Sequence, residues 1–108
     1  MAAFRLLVCG AGSASLHVAQ VAAADGRGET VGFFDPVPHA LERAQAALPE
    51  AVVGDDYEAL LKQTRPDVVV VGGPDHLHAA QTLQALEHGC HVLVEKPLAT
   101  TIDDAQRV

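Results

Sequence analysis

The 108-residue chain has 14 acidic and 7 basic residues, a formal charge of -7 and no basic stripe, which argues against nucleic acid as a partner. Its 49% hydrophobic and 19% charged residues are typical of a globular domain, and no apolar run approaches membrane-spanning length. Cys9 and Cys90 are too few for a disulfide framework, so we expect free thiols in a reducing compartment, the cytoplasm.

The first predicted element is a strand, Phe4 to Cys9, that does not alternate and therefore indicates burial on both faces. Its apolar run ends at Gly10, too soon for a secretory signal. Gly10 and Gly12 form a turn before a helix that starts near Ser13. Glycines let the backbone approach a phosphate, and the N–H groups at the start of a helix bind anions, so this turn suits a pyrophosphate.

The remaining predicted elements alternate between helix and strand. After the first helix, closed by residues 25–28, we predict strands at 30–34, 51–53, 67–71 and 91–94, and helices at 39–48, from 57 after an Asp56 cap, from about 76 to Gly89, and from 102 after a Thr101 cap. We expect the fourth helix to run through the apolar residues Ala79, Ala80, Leu83 and Leu86.

Five strand and helix pairs with short connections predict one α/β domain, a doubly wound parallel sheet with helices on both faces. Two strand orders fit such units: the nucleotide-binding order 3-2-1-4-5, without its sixth strand, and the flavodoxin-like order 2-1-3-4-5. Hydrophobic periodicity does not choose between them.

An acidic residue, Asp35, ends the second predicted strand, 20 residues after Ser15. At this position a carboxylate accepts hydrogen bonds from the adenosine ribose hydroxyls and repels a 2′-phosphate. Asp35 before Pro36 is also typical of a simple turn. The spacing favours nucleotide contact.

A second group with chemical potential, Glu95, Lys96 and Pro97, follows the fifth predicted strand, on the rim where such sheets bind ligands. Proline keeps Lys96 out of helical geometry, and a lysine held there can donate or accept a proton. The alternative is a solvent-exposed ion pair of Glu95 with Lys96.

Six histidines raise the question of a metal site. His76 and His78 are two residues apart, on different sides of a helix, and Cys90 and His91 are divided between a turn and a strand. Neither pair has the spacing of a metal-binding motif, so we predict no metal ligands.

Four ordered motifs resemble the N-terminal domain of the Gfo/Idh/MocA family (glucose-fructose oxidoreductase, inositol dehydrogenase and rhizopine catabolism). They are Gly10-Ala-Gly-Ser-Ala-Ser-Leu-His17, the acid Asp35, Gly73-Pro-Asp-His-Leu-His78, and His91-Val-Leu-Val-Glu-Lys-Pro-Leu-Ala-Thr100. The resemblance covers the whole chain and implies the order 3-2-1-4-5. It also implies an NAD(P)-dependent oxidoreductase that acts on a sugar, cyclitol or related polyol.

The resemblance further implies roles for individual residues. NAD, rather than NADP because of Asp35, is the expected cofactor, and Lys96 is the expected catalytic residue, which positions a substrate hydroxyl and helps to move its proton. The residues expected to contact the cofactor are Gly10, Gly12, Ser13, Ala14, Asp35, Gly73, Pro74, His78, Glu95 and Lys96.

The chain departs from the family pattern at three places. Ser15 replaces the third glycine of the turn, Gly73 replaces the usual threonine, and the sequence ends within the helix after the lysine motif. Family members continue with a sixth strand and a substrate domain, so we interpret residues 1–108 as an incomplete dinucleotide-binding domain. A competing hypothesis is a non-catalytic nucleotide-binding module that associates with itself through its uncovered fifth strand.

Overall fold

The computed structural model describes residues 3–108 and contains five strands that alternate with helices. The strands are β1 (Phe4–Cys9), β2 (Gly28–Phe34), β3 (Val52–Gly54), β4 (Val68–Val71) and β5 (His91–Val94). The helices are α1 (Ser13–Asp25), α2 (Pro38–Ala47), α3 (Tyr57–Thr64), α4 (His78–Glu87) and α5 (Ile102–Arg107), with a 3-10 turn at Asp75–Leu77 before α4.

All five strands are parallel, and their order is β3-β2-β1-β4-β5. This order confirms the nucleotide-binding topology and excludes the flavodoxin-like alternative. The chain moves outward from β1 to β3, returns to the other side of β1, and continues to β4 and β5. The direction therefore reverses between β1 and β4, where open parallel sheets place their ligands.

The sheet is buried on both faces, as its non-alternating strands predict. Leu6 and Val8 of β1 pack in a cluster with Ala19 of α1 and Ala44 of α2. The opposite face of the same strand, Leu7 and Cys9, packs with Leu60 and Leu61 of α3 and Ala85 of α4. Small side chains on α1 and α2 allow these helices to approach the sheet closely.

β2, β3 and β4 differ from their predicted boundaries by one or two residues, and contacts with neighbouring segments explain the starts of β2 and β3. β2 begins at Gly28, because Phe4 of β1 pairs with Gly28 in the parallel register, although a glycine and the following glutamate carry no strand signal. β3 begins at Val52, because the Ala51 N–H donates to the Leu48 carbonyl in the turn after α2. Asp56 and Thr101 cap α3 and α5 through side-chain hydrogen bonds, as predicted.

α4 contains the four apolar residues expected of the fourth helix, but it does not bury all of them. Ala80 and Leu86 are exposed, whereas His78, Gln81 and Thr82 are buried. Specific bonds orient the helix: the Tyr57 hydroxyl donates to the Gln81 carbonyl at 2.8 Å, and the His78 ring lies between two backbone carbonyls. The Tyr57 and His78 bonds thus fix which side of α4 faces the sheet, although the Gln81 Oε1 and the Thr82 hydroxyl have no partner among the described residues.

One face of the sheet near β5 is incompletely covered. Leu93 of β5 is 55% exposed, and Val21 of α1 is 54% exposed beside a groove of about 570 Å³ that both residues line. No helix among residues 3–108 is long and apolar enough to cross a membrane.

Candidate cofactor-binding site

The turn after β1 is built by close packing of backbone on backbone. Gly10 is buried and has a φ of +94°, in the left-handed region that favours glycine. A Cβ at Gly10 would lie 2.5 Å from the Gly73 nitrogen, in the loop after β4. The exits of β1 and β4 are therefore in direct contact at the point where the strand order reverses.

The next glycine of this turn faces open space. Gly12 is the N-cap of α1, and no side chain caps the helix. No heavy atom lies within 4 Å of the position that a Gly12 Cβ would occupy, and its φ is −79°, which any residue adopts. Gly12, Ser13 and Ala14 are all exposed. An uncapped helix start with room above it fits the pyrophosphate of a dinucleotide.

Ser15, the departure from the glycine fingerprint, is accommodated by a second glycine. Its side chain is 4% exposed, and its Oγ occupies the place that a Gly72 Cβ would take. The serine therefore packs against the loop after β4. The sequence carried a signal for this pairing, since an enlarged third position requires a small neighbour and a Gly72-Gly73 pair follows β4.

Asp35 lies at the end of β2 and contacts the same turn. One carboxylate oxygen accepts a hydrogen bond from the Ala11 N–H at 2.9 Å, and the other accepts one from the Val37 N–H at 2.8 Å. The second bond is the turn interaction that Asp before Pro predicts. Each carboxylate oxygen has two lone pairs, so both oxygens retain the capacity to accept a ribose hydroxyl.

The β5 exit presents Glu95 and Lys96 at the same edge of the sheet as the glycine turn. Both residues are exposed, and the Lys96–Pro97 peptide bond is cis. The Glu95 carboxylate accepts a hydrogen bond from the Lys96 backbone N–H at 3.0 Å. Among residues 3–108 no ion pair joins this carboxylate to the Lys96 amine, so the solvent-exposed ion pair considered above is not present.

A cavity of about 130 Å³ connects these two exits. Its lining includes Ala14 and Ser15 of α1, Gly72 after β4, and Val94 and Glu95 at the end of β5. The glycine turn and the lysine motif therefore border one groove on the carboxyl edge of the sheet. Gly73, next to Gly72 in the chain, lies against Gly10, and Pro74 beside it is exposed.

His78 occupies a different environment from the other predicted contacts. It is 1% exposed, and its ring nitrogens lie 2.7 Å from the Pro97 carbonyl oxygen and 2.8 Å from the Gly73 carbonyl oxygen. The predicted contact between this ring and the cofactor would require one of these bonds to break. The other five histidines are exposed.

Burial determines the protonation state of two core groups, the Cys9 thiol and the Tyr57 hydroxyl. Burial and the nearby Asp35 carboxylate raise the pKa of the Cys9 thiol to about 12. Burial also raises the pKa of the Tyr57 hydroxyl. Both groups are therefore protonated at neutral pH and act as packing and hydrogen-bonding groups. Within the described part of the chain, no three acidic, histidine or cysteine side chains are grouped to hold a metal ion.

Comparison with models of protein families establishes how this chain is related to known proteins. The Gfo/Idh/MocA model, for an oxidoreductase family with an NAD-binding Rossmann fold, matches residues 4–108. The chain belongs to the Gfo/Idh/MocA family. It is thus an NAD-binding Rossmann domain, and the resemblance inferred from the four motifs is confirmed.

Individual family members share this domain. A 1-carboxy-3-chloro-3,4-dihydroxycyclohexa-1,5-diene dehydrogenase from Comamonas testosteroni is 38% identical over 104 residues, which are 96% of this chain and 26% of that protein. The WlbA dehydrogenase from Bordetella pertussis, solved with NADH and UDP-GlcNAcA, has a TM-score of 0.90 at 32% identity. The myo-inositol dehydrogenase from Lactobacillus casei, solved with NAD(H) and myo-inositol, has a TM-score of 0.90 at 29% identity.

The chain spans about a third or less of each of these relatives. It is covered to 98% by both solved structures and covers 32% of each of them. The match to the family therefore concerns the cofactor domain, and the activity of a whole protein is a separate question.

Sequence analysis missed two residues of the site. Gly72 makes room for Ser15, and Gln81 of α4 lies beneath Gly73, with its Oε1 3.7 Å from the place of a Gly73 Cβ. Gln81 is 8% exposed, and its Oε1 has no hydrogen-bond partner among the described residues. Gln81 has polar neighbours, Thr82 and Gln84, so the sequence carried no signal that set it apart.

Proposed function

We propose that this domain holds NAD in an oxidoreductase that transfers hydride between the cofactor and a hydroxyl carbon of a sugar, cyclitol or related ring polyol. The observation that carries the proposal is the shared groove, which is lined by Ala14 and Ser15 of the uncapped α1 start on one side and by Glu95, next to the exposed Lys96, on the other. Family membership supplies the reaction class, and the names of the relatives supply the substrate class.

The glycine turn would hold the phosphates of the cofactor. Gly10 shapes the turn, Gly12 leaves the space open, and the N–H groups of Ser13 and Ala14 would donate to the pyrophosphate oxygens. Asp35 would accept hydrogen bonds from the adenosine ribose hydroxyls and disfavour a 2′-phosphate. These roles follow from exposed donors and a carboxylate with lone pairs to spare.

The β4 and β5 exits would contact the nicotinamide end. Gly73, Pro74 and Glu95 would line that part of the groove, and NAD, when bound, supplies the hydride acceptor. Lys96 would position the substrate hydroxyl and, in its neutral form, accept the hydroxyl proton as the carbon loses hydride. The side chain is exposed and joined to no carboxylate of the described residues, so it has the freedom to reach a substrate.

A titration with NADH tests the phosphate site. We expect Gly12→Val to weaken NADH binding at least about tenfold, because the new side chain fills the open space, while the unfolding midpoint stays unchanged. Ala24→Val, which adds bulk on the exposed surface at the far end of α1, is the matched control and should bind NADH normally. Equal affinity of both variants would refute the assignment.

A comparison of NADH with NADPH tests Asp35. We expect the native chain to prefer NADH by at least about tenfold, and Asp35→Asn to narrow that preference. Asparagine is the better replacement, because it retains an oxygen that accepts the Ala11 N–H, whereas alanine would also disturb the turn. An unchanged preference in Asp35→Asn would exclude this carboxylate from the ribose site.

Hydride transfer at the nicotinamide absorbance band tests Lys96 and the substrate class. The chain should be assayed with a panel of sugars and inositols, alone and together with any further segment encoded with it. We expect Lys96→Ala to reduce kcat by roughly 100-fold or more while NADH affinity changes less than about twofold. Lys62→Ala is the control, since Lys62 is an exposed lysine of α3 outside the groove.

Self-association is the second candidate function, and the exposed face near β5 favours it. Leu93 is 55% exposed on a strand whose other side has no neighbour among residues 3–108. Sedimentation velocity should then show a dimer that Leu93→Glu dissociates. Leu86→Glu, a change at an exposed leucine of α4, should leave the dimer intact. A monomer at all concentrations would exclude this candidate.

The cytoplasm is the compartment that we propose for this protein. Cys9 and Cys90 are both free and buried, which fits a reducing environment. Fractionation of cells that express the full coding sequence tests this proposal, and recovery outside the cytoplasm would refute it.

A further inference from the structure

The His78 ring joins the two loops that border the lysine end of the groove. His78 is the first residue of α4 and is 1% exposed. Its Nδ1 lies 2.7 Å from the Pro97 carbonyl oxygen, after β5, and its Nε2 lies 2.8 Å from the Gly73 carbonyl oxygen, after β4. One side chain therefore spans from one strand exit to the next.

The chemistry of these bonds gives the ring a defined task. Both partners are carbonyl oxygens, which only accept hydrogen bonds, so each ring nitrogen contributes by donating. A neutral imidazole has one N–H group and holds one carbonyl, whereas the imidazolium form has two and holds both. Both bonds are partly buried, and loss of either one would remove a fixed point of the corresponding loop.

The Pro97 bond acts directly beside Lys96. Pro97 follows Lys96 in the chain, and the Lys96 N–H is held on the other side by the Glu95 carboxylate at 3.0 Å. The side chains from Glu95 to Leu98 are exposed, and the Glu95 N–H donates to the Val71 carbonyl at 2.8 Å. The direction of the Lys96 side chain therefore depends on the bond between His78 and Pro97.

We propose that His78 is a positioning residue, which fixes the backbone at Lys96 relative to the β4 exit by donating from its Nδ1–H to the Pro97 carbonyl. The catalytic part of this inference rests on the role proposed for Lys96. The imidazole then acts through the lysine and has no contact with substrate or cofactor. An ordinary buried histidine would instead affect the stability of the whole domain and have no particular effect on the lysine.

Amide replacements separate the two bonds. The side-chain nitrogen of asparagine can substitute for Nδ1 and that of glutamine for Nε2, so His78→Asn retains the donor toward Pro97 and His78→Gln retains the donor toward Gly73. His78→Phe removes both donors and keeps a ring of similar size. His76→Phe is the matched control, since His76 is exposed two residues earlier in the chain.

The first measurement is amide hydrogen exchange, which needs no cofactor. We expect the hydrogen-bonded Glu95 and Lys96 amides to exchange at least about tenfold faster in His78→Phe and His78→Gln, and at nearly the native rate in His78→Asn and His76→Phe. Exchange in the central strands β1 and β4 should change little in His78→Gln. If His78→Phe does not fold, the exchange rates of His78→Asn and His78→Gln are compared with each other and test the same bond.

The second measurement is steady-state kinetics with the substrate found in the hydride-transfer panel. We expect kcat to fall at least about tenfold in His78→Gln, to be largely restored in His78→Asn, and the KM for NAD to change less than about threefold in both. The inference would be overturned if kcat of His78→Asn were no higher than that of His78→Gln. It would also be overturned if amide exchange accelerated equally throughout the domain. If the native chain binds no NADH, the proposed function is refuted. The hydrogen-exchange measurement would still test the bond between His78 and Pro97, because it needs no cofactor.

Discussion

The β1 and β5 exits border one groove but are built in opposite ways. At the β1 exit, Gly10 is buried against the Gly73 backbone, and the Ser15 side chain fills the space beside Gly72. At the β5 exit, residues 95–98 are exposed and are held by three hydrogen bonds, from the Glu95 N–H to the Val71 carbonyl, from the Lys96 N–H to the Glu95 carboxylate, and between His78 and the Pro97 carbonyl. The contrast teaches that the phosphate end depends on the shape of the backbone, whereas the lysine end depends on a few hydrogen bonds.

The largest expected loss of stability follows from adding a methyl group at Gly10, in the β1 exit. Gly10→Ala should cost roughly 2–5 kcal/mol of the free energy of unfolding, because it combines a left-handed φ with a Cβ 2.5 Å from the Gly73 nitrogen. Chemical denaturation measures this loss. The control is Gly12→Ala in the same turn, where a Cβ meets no atom within 4 Å and stability should be unaffected. Equal loss in both variants would show that packing does not distinguish the two glycines.

The next effect tests whether Ser15 and Gly72 form a complementary pair. Gly72→Ala should destabilise the domain by roughly 1–3 kcal/mol, because the new Cβ overlaps the Ser15 Oγ. In a Ser15→Ala background the same change should cost much less, since the Ser15 Cβ lies 3.6 Å from the new atom. A double-mutant cycle by chemical denaturation gives the coupling energy, and additive losses would contradict the pairing.

A smaller effect is expected at the β5 exit. Glu95→Ala removes the bond to the Lys96 N–H, but the residue is exposed, so the free energy of unfolding should change by less than about 1 kcal/mol. Amide exchange at Lys96 should nevertheless accelerate. Glu87→Ala, at an exposed glutamate of α4, should change neither quantity. A large loss of stability in Glu95→Ala would mean that the two exits are equally integrated into the core.

Alkylation of the two buried cysteines compares the exits without any substitution. Burial and Asp35 raise the pKa of Cys9 from 9.0 to about 12, and burial and Asp67 raise the pKa of Cys90. The native protein should therefore resist alkylation of both thiols at pH 8, because the thiolate is the reactive form. In moderate denaturant we expect Cys90, next to edge strand β5, to react before Cys9 of central strand β1. Mass spectrometry of labelled peptides measures the order, and earlier labelling of Cys9 would contradict it.

The same pKa shift predicts a loss of stability at high pH. Because the folded state favours the neutral Cys9 thiol, its contribution is fully present below pH 9.0 and is lost as the pH rises toward about 12. Replacement of Cys9 with alanine should remove this part of the alkaline dependence, and denaturation curves between these limits test it.

Local patterns were sufficient for much of the fold. The run of valines at β4, the glycine turn and the Asp56 and Thr101 caps each depend on neighbouring residues, and the structure has all of them. Patterns failed where distant residues decide. The start of β2 at Gly28 depends on pairing with β1, and the exposed Leu86 depends on how Tyr57 and His78 orient α4.

The sequence by itself determined the order of elements, the family and the chemical character of both strand exits, because periodicity, capping and motifs are written in short stretches of chain. Only the tertiary structure decided that Gly72 accommodates Ser15, that Asp35 is bonded to the glycine turn, and that His78 bridges the loops beside Lys96. Each of these contacts joins residues that are far apart in the sequence or on different elements. Such contacts arise from the docking of helices and strands, which no local pattern encodes.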